Sequence, residues 1–332
     1  MSGKFLLHAS VKVVILSLLL YALYVQVFAT HSLHTLRQAF LLELRDPVWW
    51  YAGLAIALMP VNWLLETFKW QVLLRPELRL PLGKALKAVL GGVAVSLFMP
   101  NRTGEYAGRL LLTDATHNWR VVLATLMGSL AQIIVLTGLG IVGAGFFVWY
   151  VADWELPGAV QVWVLLILGW LGGVWLYLHS RSVVAGLRRL PLGNRLDNYL
   201  APLWTHGSCT TPQLVFALWL AFLRYAVYAG QYLLLLEFFG IHPGFWQGAS
   251  GIATIFLLQT GIPLPPFGAL LARSEIALLV WSVFEANEIS ILSATFALFI
   301  INLALPSLWG AFFIFRTNVL KSIGYEKNQS TE

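Results

Sequence analysis

The chain has 332 residues, 59% of them hydrophobic and only 11% charged. A soluble domain averages about 25% charged residues, so this composition excludes an ordinary soluble protein and points to one embedded in lipid. The net charge of +6 does not indicate nucleic acid, because the basic residues lie between apolar runs, where they set topology and meet anionic lipid head groups.

Lys4 and Lys12 precede an apolar run over 13–30. It imitates a signal peptide but is longer than an ordinary h-region, so a retained first helix is expected. Further apolar segments follow at 47–68, 85–99, 120–150, 160–179, 212–238, 245–262, 267–284 and 289–315. Several reach the ~20 residues needed to span a bilayer. The run 85–99 is short for a full span.

Of the 21 basic residues, all but Arg37, Arg45, Arg224 and Arg273 fall in stretches that one topology places on the cytoplasmic side. Lys69, Arg109 and Arg120 are counted among these topology determinants. The sorting requires 85–115 to enter and leave from the cytoplasmic side and 245–285 to enter and leave from the opposite side. The expected fold is an all-α, polytopic membrane helix bundle in one domain, 1–332. It has six full spans, two oppositely directed re-entrant hairpins, and both termini in the cytoplasm. Hairpins of opposite direction suggest an inverted-topology repeat.

Trp49-Trp50-Tyr51 and Trp149-Tyr150 with Trp154 read as an outer aromatic belt, and Trp70 and Trp204 as an inner one. The connector 181–211 mixes arginines with leucines and reads as an amphipathic cytoplasmic segment. Gly138, Gly140, Gly143 and Gly145, and then Gly169, Gly172 and Gly173, are expected to allow close helix packing. Cys209 is the single cysteine, which excludes an intramolecular disulfide.

Two segments break the apolar pattern. The first runs from Met99 to Arg109 and contains Pro100, Asn101, Arg102, Gly104, Glu105 and Gly108. Charges of this kind cost about 2.5–3.5 kcal/mol each at a membrane-helix centre, so the segment is expected to line a polar cavity. Asn101 is a good N-cap for the helix that follows. The helix start and Arg102 suit an anionic head group. Glu105 and Arg109 stand four apart and can pair. Two readings stand: the charges hold only one another, or Arg102 or Arg109 faces a ligand, which the excess of arginine over glutamate favours. Gly104 and Gly108 leave a face open to another helix or a lipid chain.

The second break, Gly261 to Gly268, holds three prolines and leads to Arg273 and Glu275. Glu275 is placed within reach of Arg224 or Arg102 across the bundle. Arg224 lies mid-span beside Tyr225 and Tyr228, and an intramembrane arginine is a functional candidate by default. Glu66 and Lys69 read as interface residues. His31 and His34 are the only close histidine pair and are not read as a metal site. No His-Glu-x-x-His, aspartate-rich pair or phosphate-binding glycine loop is present. Catalytic residues, metal and cofactor are therefore not expected, and an enzyme is not favoured.

Pro100-Asn101-Arg102-Thr103-Gly104-Glu105 resembles the Pro-x-Arg-x-Gly-Glu signature of the lysylphosphatidylglycerol synthase transmembrane region, or flippase-like, family. Thr67 to Leu74 resembles the basic-aromatic end of that family's second span. Pro263 to Glu275 resembles its later Pro-rich motif, with Phe267 before Gly268 and Ser274 between Arg273 and Glu275. The chain carries no counterpart of the soluble aminoacyl-transfer domain of the full synthases, so it is expected not to make lysyl lipid by itself. The resemblance implies movement of a phospholipid or a polyprenyl-phosphate-linked lipid.

The resulting expectation is a lipid translocase of a bacterial inner membrane. Its head-group site would comprise Asn101, Arg102, Glu105, Arg109, Arg224, Arg273 and Glu275. The alternatives are a lipid-binding accessory subunit of a membrane enzyme complex and, ranked last, a membrane-embedded transferase. The expected partners are a membrane lipid with an anionic head group and, under the accessory reading, a membrane enzyme.

Overall fold

The computed structural model describes residues 48–75, 77–97, 103–113, 118–153, 159–188, 209–261 and 266–317. The expected first span at 13–30, Asn101 and Arg102, Trp154 and Trp204, and most of the 181–211 connector lie outside the described residues. Every described element is helical, with no strand among them.

In chain order the helices are α1 (Trp49–Leu74), α2 (Leu82–Ser96), α3 (Gly104–Leu111), α4 (Asn118–Phe146, extended by a π turn Phe147–Val151), α5 (Ala159–Leu178) and α6 (Ser180–Arg188). Then come α7 (Thr211–Phe238), α8 (Phe245–Gly261), α9 (Pro266–Trp281, closed by a 3-10 turn Ser282–Phe284), α10 (Glu288–Phe299) and α11 (Leu305–Arg316). A π turn over Ile300–Ala304 joins α10 to α11. Pro306 has no N–H to give the Asn302 carbonyl, and its ring crowds that carbonyl, so the ladder shifts there.

Among the described residues, five helices are long and apolar enough to cross a membrane: Trp49–Leu74, Asn118–Val151, Val160–Leu178, Thr211–Phe238 and Glu288–Arg316. They coincide with five of the six expected full spans. The helices α2, α3, α8 and α9 have 15, 8, 17 and 16 residues. At 1.5 Å per residue, each is shorter than a hydrocarbon core of about 30 Å.

Cross-helix contacts fix the directions. Gln213 Nε2 donates to the Val72 and Arg75 carbonyls, Arg224 reaches Asn62, and Gln231 donates to Ala55 O. As α7 rises in number α1 falls, so the two are antiparallel. Arg120 donates to the Leu73, Leu74 and Arg75 carbonyls, which sets the start of α4 beside the end of α1. The α2–α3 pair begins and ends at this same end of the bundle. Within the pair, Gly108 lies over Gly91 and Gly92, and Gly104 over Val95 and Ser96, so α3 runs back along α2. A Cβ on Gly108 would fall 2.6 Å from Gly92 Cα. Only glycine permits that approach, and the neighbour that Gly104 and Gly108 admit is a helix.

The α8–α9 pair sits at the other end. It follows the end of α7, and Gly251 of α8 packs on Val280 and Trp281 of α9. Trp281 Nε1 donates to Tyr232 Oη near the end of α7. A buried cluster of Tyr232, Leu235, Phe238, Ile252, Trp281 and Ile291 fills this end. A second cluster of Trp63, Trp70, Leu73, Val89, Val121 and Leu214 fills the other.

The glycine expectation holds for α4 only. Gly138 faces Trp170, Gly140 Leu257, Gly143 Ala253 and Gly145 Trp163. Gly169, Gly172 and Gly173 of α5 face open space. Exposed apolar side chains such as Leu165, Leu168 and Leu171 cover that helix, as lipid contact requires.

Candidate functional site

Helix α1 is inside-out relative to a soluble helix. Its exposed positions include Leu54, Ile56, Val61 and Phe68, whereas Asn62, Glu66 and Lys69 are buried. Spacings of three and four residues put Trp63, Glu66 and Trp70 on one inward face, with Asn62 and Lys69 beside them. Around this face the described bundle gathers its buried charge.

Glu66 is the hub. Its Oε1 lies 3.0 Å from Arg109 Nη2, and its Oε2 lies 2.7 Å from Lys69 Nζ and 3.1 Å from Arg224 Nη1. Arg109 also pairs with Glu105 at 3.1 Å, the expected four-residue pair on α3. Arg224 Nε donates to Asn62 Oδ1 at 2.9 Å, and Asn62 Nδ2 donates to Asn302 Oδ1 at 2.7 Å. Gln132 Oε1 accepts from Lys69 Nζ and Arg224 Nη1, each at 3.4 Å. Arg109 lies over the Trp70 ring and Arg224 over the Trp63 ring, each 5.2 Å from the centroid. A cation against an indole face gains about 0.5–2 kcal/mol, more when desolvated.

The cluster thus draws on α1, α3, α4, α7 and the π turn. Three cations meet two carboxylates, which leaves one net positive charge among these described residues. Lys69 and Arg109 are 1% and 2% exposed. Arg224 stands 13 residues from the start of α7 and 14 from its end, so it lies roughly 20 Å from either terminus. Glu66 and Lys69 lie eight and five residues from the end of α1, and a charge imbalance buried within the bundle is costly. Hydrogen bonding is also incomplete: Arg109 Nε is buried with no hydrogen-bond partner.

Several expectations change. Glu66 and Lys69 are not interface residues but the buried centre of the cluster. Lys69, Arg109 and Arg120, counted toward the cytoplasmic side, are all buried. Arg120 instead closes the end of α1 by taking its last carbonyls. Trp70 is no belt residue; it is fully buried beneath Arg109. Trp49, Trp50, Trp149 and Tyr150 are exposed at one end of the bundle, as a belt requires. Helix α3 starts at Gly104 with Thr103 at its N-cap, two residues beyond Asn101.

Of the expected site residues, the structure brings Glu105, Arg109 and Arg224 together. Arg273 is half-buried and Glu275 exposed on α9, and the carboxylate that Arg224 reaches is Glu66. Sequence reasoning missed Asn62, Glu66, Lys69, Gln132 and Asn302. The available signal was the three- and four-residue spacing of polar and tryptophan residues within one apolar run. No group of three or more potential metal ligands occurs among the described residues.

The sequence model of the lysylphosphatidylglycerol synthase transmembrane region matches residues 10–310. The chain belongs to this family. It is therefore an integral membrane protein of a family associated with lipid handling. Comparison with curated proteins gives no match, and neither does comparison with solved structures.

Proposed function

We propose that the protein is a lipid translocase whose polar cluster receives an anionic head group while the acyl chains stay in the bilayer. One observation carries this reading: a buried cluster, net-positive among the described residues, is shared between the long helices α1, α4 and α7 and the short helix α3. A charge imbalance costly to the fold is retained where a phosphate-bearing head group would cancel it. Arginine's planar fork suits that group.

In this reading α2–α3 and α8–α9 are re-entrant hairpins entering from opposite membrane faces, the cytoplasmic and the outer, as halves of an inverted repeat. Their lengths and their start and end points support it. Asn101, Arg102, Arg273 and Glu275 would extend the site toward the two hairpin tips. Rocking one hairpin against the long helices would open the site to each face in turn. The setting would be a bacterial inner membrane, with both termini cytoplasmic.

Proteoliposomes holding the purified protein and a fluorescent phosphatidylglycerol test the proposal. Dithionite should quench the inner-leaflet probe faster than in empty liposomes. Rates equal to empty liposomes for every anionic lipid tried contradict it.

A further inference from the structure

We infer that Glu66 is a built-in stand-in for the substrate's phosphate, so that the described arrangement is a self-occupied state in which the two arginines must exchange Glu66 for a phosphate group to bind ligand. The inference rests on the translocase reading and adds the substrate chemistry and the residue that competes with it.

The geometry around Glu66 is that of a bound anion. Arginines from different parts of the chain, Arg109 on the hairpin and Arg224 on α7, each point one Nη at a different oxygen of the same carboxylate, 3.0 and 3.1 Å away. Each arginine is backed by its own tryptophan of α1. A phosphodiester presents the same single negative charge and the same pair of terminal oxygens, with its ester oxygens as further acceptors. The fit to Glu66 is incomplete in a way that a phosphate would improve. Oε2 is shared between Lys69 Nζ at 2.7 Å and Arg224 Nη1 at 3.1 Å. Arg109 Nε, a donor, is buried without an acceptor. A phosphate gripped by both Nε and Nη of Arg109 supplies that acceptor.

Exchange rather than addition follows from burial. Arg109 is 2% exposed and Glu66 5%, so a second anion has no open approach while the carboxylate holds both guanidinium groups. Glu66 and Lys69 share α1, one turn apart, whereas Arg109 sits on an eight-residue helix at the end of a hairpin. Moving the hairpin away separates Arg109 from Glu66 and opens the place between the arginines. Lys69, 2.7 Å from Oε2, retains the carboxylate as its own partner when the arginines let go. Glu66 therefore lowers affinity, and reclosure onto it helps to expel the phosphate on the far side.

Glu66→Gln keeps the side-chain volume and removes the competing charge. The protein with and without the substitution is reconstituted in neutral-lipid nanodiscs. Binding of phosphatidylglycerol is measured against diacylglycerol with the same chains and against water-soluble dimethyl phosphate. Glu66→Gln should tighten phosphatidylglycerol binding by about tenfold or more, on the scale of one factor of ten per 1.4 kcal/mol, with no change for diacylglycerol. A response to dimethyl phosphate of the same size would assign the site to free phosphate as well as to lipid, by the same exchange. Because the substitution leaves more unbalanced charge, the double variant Glu66→Gln/Lys69→Met, which restores the net charge of the cluster, is measured beside it and should tighten in the same direction. Unchanged or weaker phosphatidylglycerol binding in both variants, with clear binding by the unsubstituted protein, overturns the exchange but leaves the translocase reading. No phospholipid binding by any of the three proteins overturns both.

Discussion

At the residue scale, the account turns on how few atoms hold the buried charges together. Arg224 has the Glu66 carboxylate, Asn62 and the Trp63 face as partners. Removing one member of a buried ion pair costs about 3–5 kcal/mol, so Arg224→Gln should lower the unfolding temperature in detergent far more than Lys84→Gln, whose side chain is exposed. Cys209 gives an independent check of packing at the end of α1. It is 5% exposed, its thiol lies against the Leu73 carbonyl, and burial pushes its pKa up. Less thiolate at neutral pH means slower alkylation. The folded protein should resist maleimide until denatured, when one equivalent reacts. What the sequence revealed at this scale was uneven. Arg109, Glu105 and Arg224 stood out as charges inside apolar runs. Glu66 and Lys69 did not, because they sit near the end of a span, where charges usually meet water. Only the hairpin and α7 folding over them makes that position interior. Asn62 and Asn302 carry no charge to draw attention and lie 240 positions apart.

At the element scale, the close approach of α3 to α2 decides where Arg109 stands. Gly108→Leu must push the two backbones apart, which costs about 1–3 kcal/mol as overpacking. It should also weaken phosphatidylglycerol binding, because Arg109 moves with its helix. Gly169→Leu, on the open face of α5, should change unfolding by less than about 0.5 kcal/mol. Thermal unfolding of the two variants side by side checks the contrast. The helices themselves were legible from hydropathy. The expected segments 120–150, 160–179 and 212–238 differ from α4 with its π turn, α5 and α7 by one to two residues at most ends. The π turn was not legible, although Pro306 marks it, since a proline in an apolar run predicts a disturbance but not its form.

At the scale of the whole molecule, the directions of the long helices put the ends of α2–α3 and of α8–α9 at opposite ends of the bundle. Lys84 and Gln247 are exposed near those ends. In sealed right-side-out vesicles, a membrane-impermeant maleimide should label Gln247→Cys but not Lys84→Cys, and inverted vesicles should reverse the pattern. Charge sorting used three cations, Lys69, Arg109 and Arg120, that the structure buries. The central claim is that the buried cluster handles the head group. It is tested most directly by phosphatidylglycerol movement in proteoliposomes containing the unsubstituted protein, Arg109→Gln, Arg224→Gln or Lys84→Gln, at equal folded amounts. The account predicts that both cluster variants fall to the rate of empty liposomes while Lys84→Gln keeps the full rate. Undiminished movement in folded Arg109→Gln and Arg224→Gln would contradict it.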